Sequence, residues 1–186
     1  EKKEMIEFLF LDLDDTILDF HKAEQVAISA TFRGFGIEPT PEVLARYSQI
    51  NKECWHKLEL GLWDREQVLV RRFELLFAEY GIIQEGTPVA RAYEKNLGIG
   101  HWFLPGAEEA VEALSKKYRL FLASNGTASV QRGRMDSANL YRFFEKTRKK
   151  THFFRVFRLT KRRTRVIVMV LMRKIAHSLC SGASGI

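Results

Sequence analysis

Two short apolar runs, Ile6-Glu7-Phe8-Leu9-Phe10-Leu11 and Tyr118-Arg119-Leu120-Phe121-Leu122-Ala123, each end abruptly in polar residues. Their length and aliphatic-aromatic content predict buried strands. Between them the pattern changes to helical spacing. Lys22 to Phe35 has helical composition and closes at Gly36. Thr40-Pro41 offers an N-cap followed by proline at the first helical position, opening a helix to about Leu60, ahead of Gly61. Asp64 and Gln67 form a capping-box-like start, and Leu69, Phe73, Leu76, Phe77 and Tyr80 then share one helical face. Gly81 ends that helix, and a further short one follows Pro88. Leu104-Pro105-Gly106-Ala107 leads into another helical stretch at Val111 and Leu114. The four helices before Leu104 are already far more than a crossover connection between two strands needs.

The chemistry gathers where the strands stop. Asp12-Leu13-Asp14-Asp15-Thr16 follows the first run. Strand side chains alternate faces, so Asp12 and Asp14 project to the same side if the strand geometry persists. Like charges held close repel unless a cation sits between them or one takes a proton. Such a cluster is costly as structure and useful as a site, and ligands of open α/β sheets bind at the strands' C-terminal ends. The plain alternative is a solvated acidic turn. Ser124-Asn125-Gly126 ends the second run with a hydroxyl, an amide and a flexible glycine. That composition suits a phosphate cradle and is equally ordinary turn chemistry.

Asp-Leu-Asp-Asp-Thr after a buried strand resembles the first motif of the haloacid dehalogenase superfamily in its phosphatase form. The resemblance covers roughly residues 5–145 and implies an α/β fold: a Rossmann-like parallel-sheet core (1–19 and 99–186) with an inserted all-helical cap (20–98). It implies an Mg²⁺-dependent phosphomonoesterase. Asp12 would attack phosphorus, and Asp14 would act as acid and then base. Both would hold the metal, Asp14 through its carbonyl. Carboxylates are competent covalent nucleophiles, and hard oxygen donors suit magnesium. Dehalogenase members lack the second aspartate, so Asp14 favours phosphate over halide. By the same resemblance Thr16, Ser124, Asn125, Gly126 and a third-motif lysine, Lys149 or Lys150, position the phosphate, with Lys150 as the choice. Asp15 and Asp19 are expected to support the site from outside or to be solvated. Asn51-Lys52-Glu53-Cys54-Trp55 and Gly61-Leu62-Trp63-Asp64 are similar to a subgroup resembling pyrimidine 5′-nucleotidases. This implies a small phosphorylated substrate, a nucleoside 5′-monophosphate, contacted by Lys52, Trp55 and Trp63. From the residues alone, packing of both tryptophans in the cap competes with that role.

Charge changes the picture at one end. Of 30 Lys and Arg, 12 fall within residues 146–186, a stretch without Asp or Glu, so the first 145 residues are net −5 in a chain of +7. The superfamily's fourth motif, an acidic pair that adds a metal ligand, therefore has no counterpart there. Val166 to Met172 reads as the strand that should precede it, yet Arg173-Lys174 follow. Ile175 to Ala183 looks like the next helix, and a typical member's last strand has no counterpart. Three readings stay open: a stretch altered relative to a working gene, a degenerate member that binds phosphorylated ligands without turnover, or a basic arm contacting nucleic acid, with Phe153, Phe154 and Phe157 stacking on bases. No nucleic-acid module surrounds it, which disfavours the last. Cys54 and Cys180 lie in unrelated segments, so no disulfide is expected and a reducing cytoplasm is. No secretory signal or membrane span is expected.

Overall fold

The computed structural model describes residues 7–145, which divide into two compact units. One comprises, among the described residues, 7–23 and 98–145; the other is Glu24–Leu97.

The first unit is built on β1 (Phe8–Leu11) and β2 (Arg119–Leu122). They pair in parallel, Phe8 opposite Arg119 through Leu11 opposite Leu122. Alternation puts Leu9, Leu11, Leu120 and Leu122 into a buried core with Leu13, Ile17, Leu18, Val111, Met135, Leu140 and Phe144. The opposite face carries a small aromatic stack, Phe10 on Phe121 at 5.4 Å between ring centres. Parallel pairing in this register brings both strand ends to one place, and the Ala123 amide donates to the Leu11 carbonyl at 2.9 Å. Everything placed after Leu11 and after Leu122 is thereby forced together. The chain returns beside β2 at Glu145, whose amide donates to Leu120 O at 2.9 Å.

The second unit is helical. Helix α1 (Phe20–Gly34) crosses the boundary between the units, and α2 (Pro41–Glu59), α3 (Arg65–Tyr80) and α4 (Gly86–Leu97) complete it. The local signals behave as their chemistry requires. Thr40 Oγ1 accepts from the Val43 amide at 3.3 Å, with Pro41 opening α2. Asp64 and Gln67 form a reciprocal capping box. Gly81 stops α3 in the left-handed region at φ 64°. The core is aromatic: Tyr47 stacks on Phe73 at 5.4 Å, and Phe32 meets both edge-on. Through it runs a buried polar chain in which Arg72 Nη1 donates to Asn51 Oδ1 (3.0 Å) and Asn51 Nδ2 to Glu24 Oε1 (2.7 Å). Arg72 also lies 4.8 Å over the Tyr93 ring.

In the first unit, α5 (Ala107–Ser115) precedes β2, and α6 (Ala128–Ser137) with the single 3₁₀ turn Leu140–Arg142 follows it. No helix among the described residues is long and apolar enough to cross a membrane. The expected strand at 166–172, the helix at 175–183, Cys180 and both third-motif lysines lie outside the described residues.

Candidate active site

The turn after β1 does not continue the strand. The Ile17 and Leu18 amides both donate to Leu13 O, at 3.0 and 2.9 Å, and the Asp15 amide donates to Leu18 O at 2.9 Å. These bonds fold residues 13–18 back on themselves and leave the Asp14 carbonyl out of the ladder. Asp15 takes φ 52°, a left-handed conformation that aspartate tolerates better than most residues. Buried Leu13, Ile17 and Leu18 anchor the turn in the core, so the acids are held at its rim.

Asp12 and Asp14 are both half-buried but differently partnered. Asp12 Oδ1 accepts the Leu13 amide at 2.9 Å. Burial pushes the Asp12 carboxyl up to about 6, and the charges of Asp14 and Asp15 push the same way, against the Leu13 hydrogen bond. Asp14 is instead enclosed by α6. Arg134 Nη1 donates to its Oδ1 as a direct ion pair, and Gln131 Nε2 donates to its Oδ2 at 2.5 Å.

Ser124 is buried at the end of β2. Its Oγ accepts from Gln131 Nε2 at 2.8 Å and from the Gly126 amide at 3.1 Å. Two accepted bonds leave the hydroxyl proton free to be donated. Gly126 has a steric reason: a β-carbon there would overlap the Gln131 amide. Asn125 is exposed, and Thr16 is half-buried in the acidic turn. The structure thus brings Asp12, Asp14, Thr16, Ser124, Asn125 and Gly126 to one strand-end region; Lys150 lies outside the described residues. Asp15 and Asp19 have structural partners: Asp15 Oδ1 accepts the Phe20 amide (3.1 Å) and Asp19 Oδ1 the Lys22 amide (2.8 Å), both at the start of α1.

Gln131 and Arg134 are the residues that motif reasoning misses. Val130, Gln131, Arg134 and Met135 are the buried positions of α6. Two long polar residues on the buried face of a helix that opens just after Ser-Asn-Gly form the signal that exposes them. In the helical unit, Lys52 is exposed while both tryptophans are half-buried under cations. Arg65 lies 5.3 Å from the Trp55 ring centre; Lys57 and Arg71 lie 4.2 and 5.3 Å from that of Trp63.

The donor set suits a hard divalent cation in part. Asp12 is a carboxylate whose ionisation burial opposes, and the Asp14 carbonyl is unused by the turn. Magnesium commonly takes one or two such protein oxygens and completes its shell with water and phosphate. Among the described residues there is no group of three or more His, Cys, Asp or Glu that could hold a metal alone.

A parallel-strand core with paired acids and a hydroxyl at its strand ends, interrupted by a helical insertion, defines a Rossmann-like α/β core with a helical cap. The chain belongs to the haloacid dehalogenase superfamily. It is 34% identical over 137 residues to the HAD-hydrolase YfnB of Bacillus subtilis (strain 168), covering 74% of this chain and 58% of that protein. It is 32% identical over 138 residues to the pyrimidine 5′-nucleotidase PynA of Streptococcus pneumoniae (strain ATCC BAA-255 / R6), with the same two coverages. The chain thus spans 58% of the length of these curated relatives. The solved structure of YfnB bound to magnesium superposes with a TM-score of 0.71 at 32% identity, covering 76% of this chain and 64% of that one. An L-2-haloacid dehalogenase from Xanthobacter autotrophicus, 18% identical with a TM-score of 0.55 over 76% of this chain and 55% of its own, shares the fold. No protein-family model matches the chain.

Proposed function

We propose that this chain is a magnesium-dependent phosphomonoesterase that works through a phosphorylated Asp12, with nucleoside 5′-monophosphates as its substrate class. The observation that carries the reading is the convergence of Asp12, Asp14 and Ser124 at the C-terminal ends of two paired parallel strands. A halide-displacing site needs one carboxylate; this one holds a second, Asp14, with its own supporting donors.

In the reaction, an Asp12 carboxylate oxygen attacks phosphorus and the bond from phosphorus to the ester oxygen breaks. Asp14, protonated for this half, gives its proton to the departing alkoxide. Water then attacks the phosphorus of the acyl phosphate, Asp14 takes its proton, and Asp12 leaves as a carboxylate, releasing inorganic phosphate. The Ser124 hydroxyl proton, Asn125 and Thr16 bind the phosphoryl oxygens, with Gly126 keeping the turn beside them free of a β-carbon, and Lys150 adds a positive charge. Placement and charge neutralisation supply most of the rate enhancement in phosphoryl transfer. The Asp12 carboxylate and the Asp14 carbonyl would hold magnesium, which would supply the Lewis acidity that offsets the repulsion between an anionic nucleophile and an anionic ester.

Similarity to PynA supports a nucleotide as substrate, with Lys52, Trp55 and Trp63 of the helical unit proposed to recognise base or sugar. The test is hydrolysis of p-nitrophenyl phosphate and a panel of nucleoside monophosphates, with and without Mg²⁺. Asp12→Asn should remove turnover to the limit of detection while leaving the fold intact by circular dichroism. Turnover that survives Asp12→Asn or chelation by EDTA overturns the mechanism. One observation favours a second reading: residues 146–186 carry no carboxylate to serve as a further metal ligand. A folded chain that binds nucleotides by calorimetry but does not hydrolyse them would be a binding relative of the enzymes.

A further inference from the structure

The buried face of α6 performs work that neither strand-end motif explains. Gln131 Nε2 bridges Asp14 Oδ2 (2.5 Å) and Ser124 Oγ (2.8 Å), so one amide nitrogen joins the two motifs. Arg134, whose side chain is 1% exposed, pairs with the other Asp14 oxygen. It is held in turn by Gly100 O, which accepts from Nε at 3.3 Å, and its guanidinium lies 5.8 Å from the Phe20 ring centre. Nη2 is buried without a hydrogen-bond partner among the described residues. A buried guanidinium is expensive unless it is paired, and replacing it by an apolar side chain would be neutral or better if packing were its only task.

The helix is pinned so that these side chains keep their aim. Ser137 Oγ donates to Ile99 O at 3.1 Å. A β-carbon at Gly133 would sit 2.7 Å from Gly98 O, so the helix lies against the 98–100 backbone as closely as contact allows. Both Asp14 oxygens therefore accept from one helix held against the 98–100 backbone, which fixes the orientation of the Asp14 carboxyl group beside Ser124.

We infer that Gln131 and Arg134 are positioning residues that hold the Asp14 carboxylate as a proton acceptor, in register with Ser124, for hydrolysis of phosphorylated Asp12. The inference rests on the phosphatase reading above. Its consequence is specific to one half of the reaction. With p-nitrophenyl phosphate the departing phenolate needs no proton from Asp14, so attack of Asp12 on that ester does not depend on the α6 donors. Attack of water on the acyl phosphate needs Asp14 ionised and aimed, to take the proton as the phosphorus–Asp12 bond breaks. Loss of the α6 donors should strand the enzyme in its phosphorylated form.

The test uses the full chain with p-nitrophenyl phosphate and Mg²⁺, comparing parent, Gln131→Ala, Arg134→Met and Arg134→Lys. Steady-state kcat should fall about 10²-fold in Gln131→Ala and Arg134→Met, the order of a lost general base. KM should fall along with it, leaving kcat/KM within about threefold, because kcat/KM reports only formation of the phosphorylated form. Acid quench should trap a larger fraction of each variant as phosphoprotein than of the parent, and Arg134→Lys should recover part of the rate. Formation and breakdown slowing together, with no rise in trapped phosphoprotein, would overturn the inference and leave a structural role. A second measurement does not depend on turnover: melting midpoints of Asp14→Ala, Arg134→Met and the double variant. The double variant should lose less than the two single losses combined; additive losses overturn the linkage. A parent that hydrolyses no ester defeats the phosphatase reading and the catalytic half of this inference. The melting cycle would still decide whether Arg134 holds Asp14.

Discussion

Asp12 sits in an environment that opposes its own charge, and this gives it a measurable signature. In the unfolded chain its carboxyl ionises near 3.8; in the folded protein it is pushed up to about 6. Between those values the folded state holds more protons than the unfolded one, so this residue's contribution to stability declines as pH rises from about 4 to 6. Asp12→Asn removes the cost. It should stabilise the fold at pH 7 by about 1 kcal/mol, a figure reduced for the solvent that still reaches the carboxyl. The gain should vanish below about pH 4, where parent and variant are both neutral at this position. Urea titrations of the two proteins at pH 4 and pH 7 check it; an equal difference at both values would refute burial as the cause. Mg²⁺ should raise the melting midpoint of the parent at pH 7 and leave that of Asp12→Asn nearly unchanged. Asp14 differs because Arg134 and Gln131 answer its charge directly. One acid of the pair is thus exposed to ligand chemistry while the other is held in place.

At the level of elements, what could be read in advance depended on how local the governing interaction was. Capping lies within four residues, so Thr40, Asp64 and Gly81 mark helix ends legibly in the sequence. The carboxylate of Asp64 answers the Gln67 amide at 2.8 Å, and the Asp64 amide answers Gln67 Oε1 at 3.0 Å. Asp64→Ala should cost about 1 kcal/mol, seen as a lower unfolding midpoint, and Asp64→Asn should restore most of it. The start of α4 was less legible: it opens at Gly86, ahead of Pro88 rather than after it. Proline is tolerated in a helix's first turn, where its missing amide had no partner to lose, so it does not mark the first residue by itself. The turn after β1 departed further from the alternating expectation, because three backbone bonds and three buried side chains redirect it. Least legible was α6. Its role depends on pairs 117 and 120 residues apart in sequence, Gln131 and Arg134 with Asp14, and no local pattern encodes such a distance.

On the scale of the molecule, the charge divides unevenly: residues 1–145 are net acidic, while 146–186 carry 12 basic side chains and no acid. The two described units also differ in how they are encoded. The parallel-strand unit draws on two separate stretches of chain, so β1 cannot pair until β2 has been made. The helical unit is one continuous stretch, and its core is assembled from its own residues. Phe32, Tyr47, Phe73, Phe77 and Tyr93 pack ring against ring, and the Glu24–Asn51–Arg72 chain ties α1, α2 and α3 together. Sequence-local helical contacts form quickly and need little loop closure. A fragment of residues 20–97, keeping all of α1, should therefore fold without the rest of the chain. It is small enough for its stability to be modest. Circular dichroism should show high helix content and a cooperative thermal transition, lost on Phe73→Ala, which removes the ring at the centre of the cluster at a cost of about 3–5 kcal/mol. A fragment that is helical but melts without cooperativity would mean that its core needs the other unit for fixed packing. The remaining pieces, 7–19 and 98–145, should show no such transition when separated, since neither contains both strands.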